Sequence, residues 1–216
     1  MLARILVLGS LLMAFGVSQG YADGAVGFYG GVNNSNLSGD TPSGTSYQTR
    51  KGLVAGLFGE IRIARDVFLG LHPGYIQKGT LVTLKPVNEG EDPIENDLSL
   101  DYFSVPVLFK IETGKGATYF SGGLDFAFLM SASLDLPGKE IDAQEIMRNF
   151  DLSMNFAFGG KIPLGSPFLT LELRYSQSLL NVADTEIGDE TYSVPARFRS
   201  SGFQLLAGLL FPLGTR

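Results

Sequence analysis

Hydrophobic and polar residues alternate along most of the chain after residue 24. Between Leu53 and Ile63, apolar or small residues occupy the odd positions, and the even positions include Glu60 and Arg62. A period of two places the polar side chains on one face of a β-strand, whereas a helix would spread them around its circumference. The pattern therefore predicts strands with one apolar and one polar face.

Eight segments follow this pattern, and each has 10 to 16 residues. They cover residues 25–34, 51–63, 67–79, 98–111, 117–132, 150–162, 168–180 and 201–213. Strands of globular proteins usually have about 5–6 residues, and a tilted membrane strand needs about 9–11. The lengths favour strands that cross a membrane. Pro73 and Pro106 lie inside the third and fourth segments, where each predicts a bulge or bend because proline cannot donate to a ladder.

Short and long connections alternate strictly between the segments. The short ones are residues 64–66, 112–116 and 163–167, and the long ones are 35–50, 80–97, 133–149 and 181–200. Outer-membrane barrels combine tight periplasmic turns with longer outward loops. Closure also removes the sheet edges that lipid cannot satisfy. We therefore predict an all-β fold, an eight-stranded antiparallel up-and-down transmembrane β-barrel.

A soluble periplasmic lipocalin-like barrel that binds a small hydrophobic ligand is the first alternative. It would turn the same apolar faces inward and the charged faces towards water. Charged residues make up only 18% of the chain, and each predicted strand carries few of them. This low charge density favours the membrane barrel.

Six stretches carry a family resemblance: PGYIQKG at 73–79 and LDYFSVPVLFK at 100–110, with further stretches at 52–63, 119–123, 171–175 and 202–211. Their order and spacing resemble the PorT-type outer membrane protein β-barrel domain family. The resemblance spans residues 24–213 and implies an eight-stranded outer-membrane barrel, with roles in secretion machinery or envelope assembly for some members. Members often end on an aromatic residue, whereas here residues 212–216 follow Phe211.

The N-terminus has the features of a Sec-type signal peptide over residues 1–22. Arg4 provides a positive charge, residues 5–17 form an apolar run too short to span a bilayer, and residues 20–22 form a small-x-small cleavage signal. We expect Asp23 to begin the mature outer-membrane β-barrel domain, residues 23–216, in the bacterial outer membrane.

Aromatic belts mark the two interfaces of membrane barrels. Because the chain has no Trp, Tyr and Phe must form them. We predict an outer rim of Tyr75, Tyr102, Tyr175 and Phe203, and a periplasmic rim of Phe109, Phe120 and Phe211.

The polar faces predict a lumen charge network. Its members are Glu60, Arg62, His72, Lys78, Lys110, Asp125, Asp151, Lys161, Glu172 and Arg174. Eight strands enclose space only for side chains, and buried charges must pair. A salt-bridged plug is therefore the favoured interpretation. A narrow polar path or small ligand site is the alternative, with room left by the predicted inward glycines Gly56, Gly70, Gly74, Gly123 and Gly159.

His72 is the sole histidine and thus the one candidate general base. A lipid-modifying outer-membrane enzyme is therefore the second alternative. The chain has no G-x-S-x-G motif, and the register places His72 inside the barrel at mid-height, away from lipid. We expect a structural histidine and no enzymatic activity.

Zero cysteines exclude thiolate metal sites, and we expect neither a metal site nor a cofactor.

Two long loops are acidic. Residues 80–97 hold one Lys and five acidic residues, and 181–200 hold two Arg and four acidic residues. Glu89, Glu91, Asp92, Glu95, Asp97, Asp184, Glu186, Asp189 and Glu190 form a candidate interaction surface for lipopolysaccharide or an unidentified envelope protein. The net charge of −6 argues against nucleic acid. Other expected partners are outer-membrane lipid and, during insertion, the barrel-assembly machinery; we expect a monomer.

Overall fold

The computed structural model describes residues 24–39, 45–84, 94–136, 139–182 and 198–214. These residues form one antiparallel sheet of ten strands. The strands are β1 (Gly24–Gly39), β2 (Thr45–Ala64), β3 (Val67–Leu71), β4 (Gly74–Leu84), β5 (Ile94–Thr113), β6 (Thr118–Leu136), β7 (Lys139–Asp142), β8 (Phe150–Pro163), β9 (Phe168–Ser178) and β10 (Phe198–Leu213). The predicted signal peptide and Asp23 lie outside the described residues.

The sheet closes on itself into a barrel. β1 pairs with both β2 and β10, and the ring continues through β9, β8, β6 and β5. β3 and β4 both lie between β2 and β5 and share one wall position, while β7 adds a short hairpin to the end of β6. The ring therefore has eight wall positions, which confirms the predicted fold.

The third wall position is broken at His72 and Pro73, so the single strand predicted over 67–79 is wrong. Pro73 has no N–H group to continue the ladder. The wall stays bonded across the break, because the Leu57 amide donates to the Pro73 carbonyl (2.9 Å) and the His72 amide donates to the Pro106 carbonyl (2.9 Å). β5 runs through Pro106 without a register shift there.

The wall is apolar outside and charged inside. Leu57, Phe126 and Phe156 are 53%, 36% and 55% exposed, whereas Glu60, Asp125 and Glu172 are 6%, 1% and 7% exposed. A soluble barrel requires the opposite polarity. The first alternative of the sequence analysis is therefore excluded in favour of the membrane barrel.

The strands extend further than the sequence predicts at the ends away from the short turns. β2 and β5 reach 20 residues each, so parts of all four predicted long loops are strand. On β1, β2, β5 and β6, outward apolar residues nevertheless stop before the outer strand ends, where the outward residues are polar. The first of these are Asn34, Lys51, Asp101 and Ser131. Since the short turns mark the periplasmic side, the strand ends rise out of the bilayer on the outer side.

Apolar side chains fill the described part of the outer end of the barrel. They belong to the contiguous buried core and include Leu37, Leu98, Ala132, Ala143, Val182 and Phe198. We call these six residues the outer apolar cluster. Half-buried Tyr47 packs edge-on against Phe198 with ring centroids 5.1 Å apart. Above the membrane, the barrel therefore has a core like that of a soluble protein.

Candidate functional site

An apolar belt surrounds the lower barrel. Phe109, Phe120, Phe203 and Phe211 are exposed on it, at the rims where the sequence predicts them. Tyr75 and Tyr175 are half-buried. The Tyr175 and Phe203 rings are in contact, with centroids 4.9 Å apart.

Tyr102 does not belong to the belt, and this part of the prediction is wrong. Its side chain lies inside the barrel and is 1% exposed. Tyr102 is eight residues from Lys110 on β5, so the two side chains share the inner face of the strand. Its ring lies 5.2 Å from the ammonium group of Lys78.

A buried charge network fills the periplasmic half of the lumen. Glu60 pairs with Lys110, and Nε2 of His72 lies 3.7 Å from Oε1 of Glu60. Nδ1 of His72 lies 3.2 Å from Nη2 of Arg174, which is 2.6 Å from Oε1 of Glu172. His72 thus links an acidic and a basic group, and all five side chains are buried.

Two tyrosines complete this network. Tyr119 donates to Glu172 (3.0 Å), and Tyr29 donates to the backbone carbonyl of His72 (3.0 Å). Lys161 pairs with Glu112 at the periplasmic end. Each charged side chain of this network therefore has a partner, which is the arrangement that limits the cost of removing a charge from water.

A second cluster lies nearer the outer end. The ammonium group of Lys78 is 2.8 Å from Oδ2 of Asp151. Ser153 donates to the same carboxylate oxygen (3.0 Å), and Ser178 donates to Oδ1. Asp151 is thus held on both oxygens by groups from three strands.

Most of the predicted lumen residues lie inside the barrel. The buried ones are Glu60, His72, Lys78, Lys110, Asp125, Asp151, Glu172 and Arg174. Asp125 accepts a hydrogen bond from Ser104 (2.6 Å), and Lys161 is partly exposed.

Arg62 is exposed, contrary to the prediction. It lies two residues before the end of β2, where the wall ends, and its guanidinium lies 5.2 Å from the Phe68 ring.

The inward glycines make room for tyrosine rings. A Cβ atom on Gly56 or Gly74 would lie 2.6 Å from the hydroxyl oxygen of Tyr29. A Cβ atom on Gly159 would lie 2.2 Å from Cζ of Tyr119. The sequence predicts the small residues but not what occupies the space beside them.

The remaining two glycines are also closely packed. A Cβ atom on Gly70 would lie 2.9 Å from Nε2 of His72, and one on Gly123 would lie 2.0 Å from the carbonyl oxygen of Val107. The predicted inward glycines therefore do not leave an open path.

The space left in the described lumen is small. A cavity of about 20 Å³ lies in the periplasmic half, beside His72, Tyr119 and Arg174. A second one of about 10 Å³ lies beside Lys78 and Gln204. Because one water molecule needs roughly 10–15 Å³, these cavities are the size of one or two waters.

Side chains of β1 cross the inner face of β2 to reach β4. Asn33 donates to the carbonyl of Gln77 (2.7 Å), and Ser35 donates to the carbonyl of Gly79 (3.1 Å). The pairing of β2 with β4 shifts register within residues 49–54. These side-chain bonds supply donors where the ladder is interrupted. The inward polar positions of β1 were a signal for them that the sequence analysis did not use.

The acidic candidate surface is described only in part. Glu95 and Asp97 belong to β5 and not to a loop, and Asp97 pairs with Arg50 at 2.6 Å. Its other members, Glu89, Glu91, Asp92, Asp184, Glu186, Asp189 and Glu190, lie outside the described residues. In the part of the chain that is described, no three His, Cys, Asp or Glu side chains form a group that could hold a metal ion. The helices found there are too short to cross a membrane.

A closed antiparallel ring with an apolar exterior and a paired, charged interior defines an integral membrane β-barrel. The chain belongs to the outer membrane protein β-barrel domain family, whose model matches residues 18–184. It is therefore a bacterial outer-membrane protein.

Solved structures of other outer-membrane proteins are similar in fold. Neisserial surface protein A is 15% identical, with 87% of this chain and 97% of that chain covered and a TM-score of 0.47. OprG from Pseudomonas aeruginosa is 12% identical, with 91% and 99% covered and a TM-score of 0.49. Ail of Yersinia pestis is 14% identical, with 88% and 99% covered and a TM-score of 0.44. A comparison with curated protein sequences found no match.

Proposed function

We propose that the protein is a non-enzymatic structural or interaction component of the outer membrane. The observation that supports this most directly is the filled lumen, in which buried ionised groups bind one another. Such a lumen fixes the shape of the barrel. The outer strand ends and their loops are then the surfaces available to partners.

The surroundings of His72 support a structural role for this residue. Its ring lies between Glu60 and Arg174 and near the rings of Phe58 and Tyr29, with centroids 5.5 and 6.1 Å away. An acyl chain in the membrane contacts the outer wall and cannot reach this ring unless the wall opens. This arrangement disfavours a lipid-modifying enzyme that uses His72.

Five finer assignments remain proposals based on the sequence. The chain is of the PorT type, a Sec-type signal peptide directs its export, the barrel-assembly machinery inserts it, and it functions as a monomer. Its acidic loop residues contact lipopolysaccharide or an envelope protein. The stretches at 73–79 and 100–110 support the first assignment, and the features of residues 1–22 support the second.

Cell fractionation combined with heat-dependent gel mobility tests the proposed function. We expect the full chain in the outer-membrane fraction, with a folded form in cold detergent that migrates differently after heating. A soluble periplasmic pool would contradict the proposal.

The non-enzymatic part requires its own test. Mass spectra of lipid A from cells with and without the protein should show the same acyl chains. If the protein changed those chains and His72→Ala abolished the change, the lipid-modifying alternative would be correct.

A further inference from the structure

His72 connects two opposite walls of the barrel. It lies in the break between β3 and β4, which share the third wall position counted from β1, whereas Arg174 belongs to β9, the seventh. In a ring of eight, these two positions face each other across the lumen. The contact between Nδ1 of His72 and Nη2 of Arg174 (3.2 Å) therefore joins the break to the opposite wall. We call this contact the cross-lumen link.

The cross-lumen link requires an uncharged imidazole ring. A guanidinium group has N–H donors and no acceptor, so Arg174 donates and the lone pair on Nδ1 of His72 accepts. The proton of the neutral ring is then on Nε2, which faces Oε1 of Glu60 at 3.7 Å. A second proton would make Nδ1 a donor and place two cations 3.2 Å apart. Turning the ring over would not restore the bond, because both nitrogens of an imidazolium are donors.

The surroundings of the link can accept that second proton. In the described part of the periplasmic half, the buried and half-buried charged side chains are four carboxylates and three cations. They are Glu60 from β2, Lys110 and Glu112 from β5, Asp125 from β6, Lys161 from β8, and Glu172 and Arg174 from β9. The hydroxyls of Tyr29 and Tyr119 are the other titratable groups there, and both act as neutral donors. A proton on His72 would therefore balance the charges, and histidine ordinarily changes its charge between about pH 5 and 8.

The break has few other bonds to hold it. Neither His72 nor Pro73 belongs to a strand. The His72 amide donates to the Pro106 carbonyl, and the His72 carbonyl accepts from Tyr29. The cavity of about 20 Å³ beside His72 and Arg174 has room for a water molecule, which can accept the hydrogen bond that Arg174 loses. The link can therefore open without leaving a buried donor unpaired.

We propose that His72 is a pH-sensitive switch between the wall break and β9. At neutral pH the uncharged ring binds Arg174 and the wall stays closed at residues 72–73. In mild acid the ring takes up a proton and releases Arg174, and the contacts of β3 and β4 with their neighbours loosen. The inference goes beyond the proposed function, because it makes a barrel with a filled lumen respond to pH.

Because His72 is the sole histidine, its protonation can be observed directly. Nitrogen-15 NMR of the imidazole, on the purified chain without a histidine tag in micelles, reports which ring nitrogens carry a proton. We expect the neutral form with its proton on Nε2 at about pH 7.5, and the doubly protonated form at about pH 5.5. The same protonation at both pH values, or a neutral form with its proton on Nδ1, would overturn the inference.

Hydrogen exchange in the same micelles tests the loosening. Protection factors, from which the intrinsic effect of pH on exchange is removed, should fall roughly tenfold in β3 and β4 between the two pH values. They should stay unchanged in β6 and β8. His72→Gln is the matched control, because an amide side chain also has an acceptor and a donor but takes up no proton. In this variant, β3 and β4 should be equally protected at both pH values.

Three exchange results would also overturn the inference. They are unchanged protection of β3 and β4 in acid, a uniform fall around the barrel, or an equal fall in His72→Gln, which would assign the pH response to the carboxylates. Heat-dependent gel mobility shows whether His72→Gln folds, and the NMR titration of the unaltered chain decides the matter if it does not. Any of these results in a barrel that still fractionates with the outer membrane would leave the proposed function intact.

Discussion

Glu60 is the residue on which two parts of the periplasmic lumen network depend. Its carboxylate binds Lys110 through one oxygen and faces Nε2 of His72 with the other. Removing one partner of a buried ion pair costs more than the pair contributes, because the other charge stays buried. The network should therefore be sensitive to a change that removes the charge and keeps the shape.

Glu60→Gln should lower the free energy of unfolding by about 3 kcal/mol, because it leaves Lys110 without its closest counter-ion. Urea unfolding in detergent micelles, followed by gel mobility, measures the change. Asp66→Asn alters an exposed carboxylate in the turn after β2 and should have no measurable effect. Equal stability of Glu60→Gln and the unaltered barrel would show that the pair is dispensable.

Alternation predicts which face a residue occupies but not how far along the wall it lies. Eight of the ten lumen residues are buried because the period of two holds within the membrane. The prediction that Arg62 faces the lumen fails because the wall ends beside this residue. The prediction that Tyr102 belongs to the outer rim fails because it relied on the preference of tyrosine for membrane interfaces. The spacing of eight residues between Tyr102 and Lys110 already indicated the inner face.

Among the elements, the contact between β2 and β4 is held by side chains as well as backbone. Asn33 and Ser35 donate to carbonyls that the shifted register leaves available. Buried carbonyls without donors are costly, so the β1 side chains stabilise this contact.

Asn33→Ala should lower the free energy of unfolding by about 1–3 kcal/mol and accelerate amide exchange in β2 and β4 while β8 and β9 stay protected. Hydrogen exchange in micelles measures both effects. Asn34→Ala is the matched control, since it removes the same group from the exposed face of the same strand. Uniform acceleration around the barrel would contradict a local role.

Along β8, the loss in the free energy of unfolding caused by a charged residue in the apolar belt should depend on how deep that residue lies in the bilayer. Phe156→Arg lies near the middle of the strand and should cost about 2–4 kcal/mol, whereas Ile162→Arg near its periplasmic end should cost about 0–1 kcal/mol. Both side chains face outward, so urea unfolding in lipid vesicles compares them directly. Similar costs at the two sites would argue against this membrane position.

The sequence predicts the membrane part of each strand better than its outer end. Above the belt, outward residues such as Ser99 and Ser131 are polar, and the resulting pattern is typical of a loop. The β1–β10 pairing nevertheless continues to Gly39 and Phe198. The break at His72 and Pro73 was indicated by proline, but its hydrogen bonds to both neighbouring strands depend on tertiary contacts.

At the scale of the whole molecule, the barrel combines a filled lumen with an apolar core above the membrane. Neither property follows from any single strand. The described cavities hold only one or two waters, and the tyrosines beside the glycines occupy the space that those glycines leave.

Purified barrel in a planar lipid bilayer should therefore show no stable ion conductance at neutral pH. A large porin provides the positive control, because its wider ring leaves an aqueous channel. Long-lived, uniform current steps from this protein would show that the lumen opens. Current noise without discrete steps would fit a closed barrel.

The outer apolar cluster has a consequence for strand alignment. Within the bilayer, the long strands direct their apolar residues outward. Above the bilayer, the same strands direct apolar residues inward, towards Leu98 and Phe198. A slip of one residue between neighbouring strands reverses every side chain. It would thus bring ionised groups into hydrocarbon at one end and leave leucines in water at the other, so two different solvents enforce the same alignment.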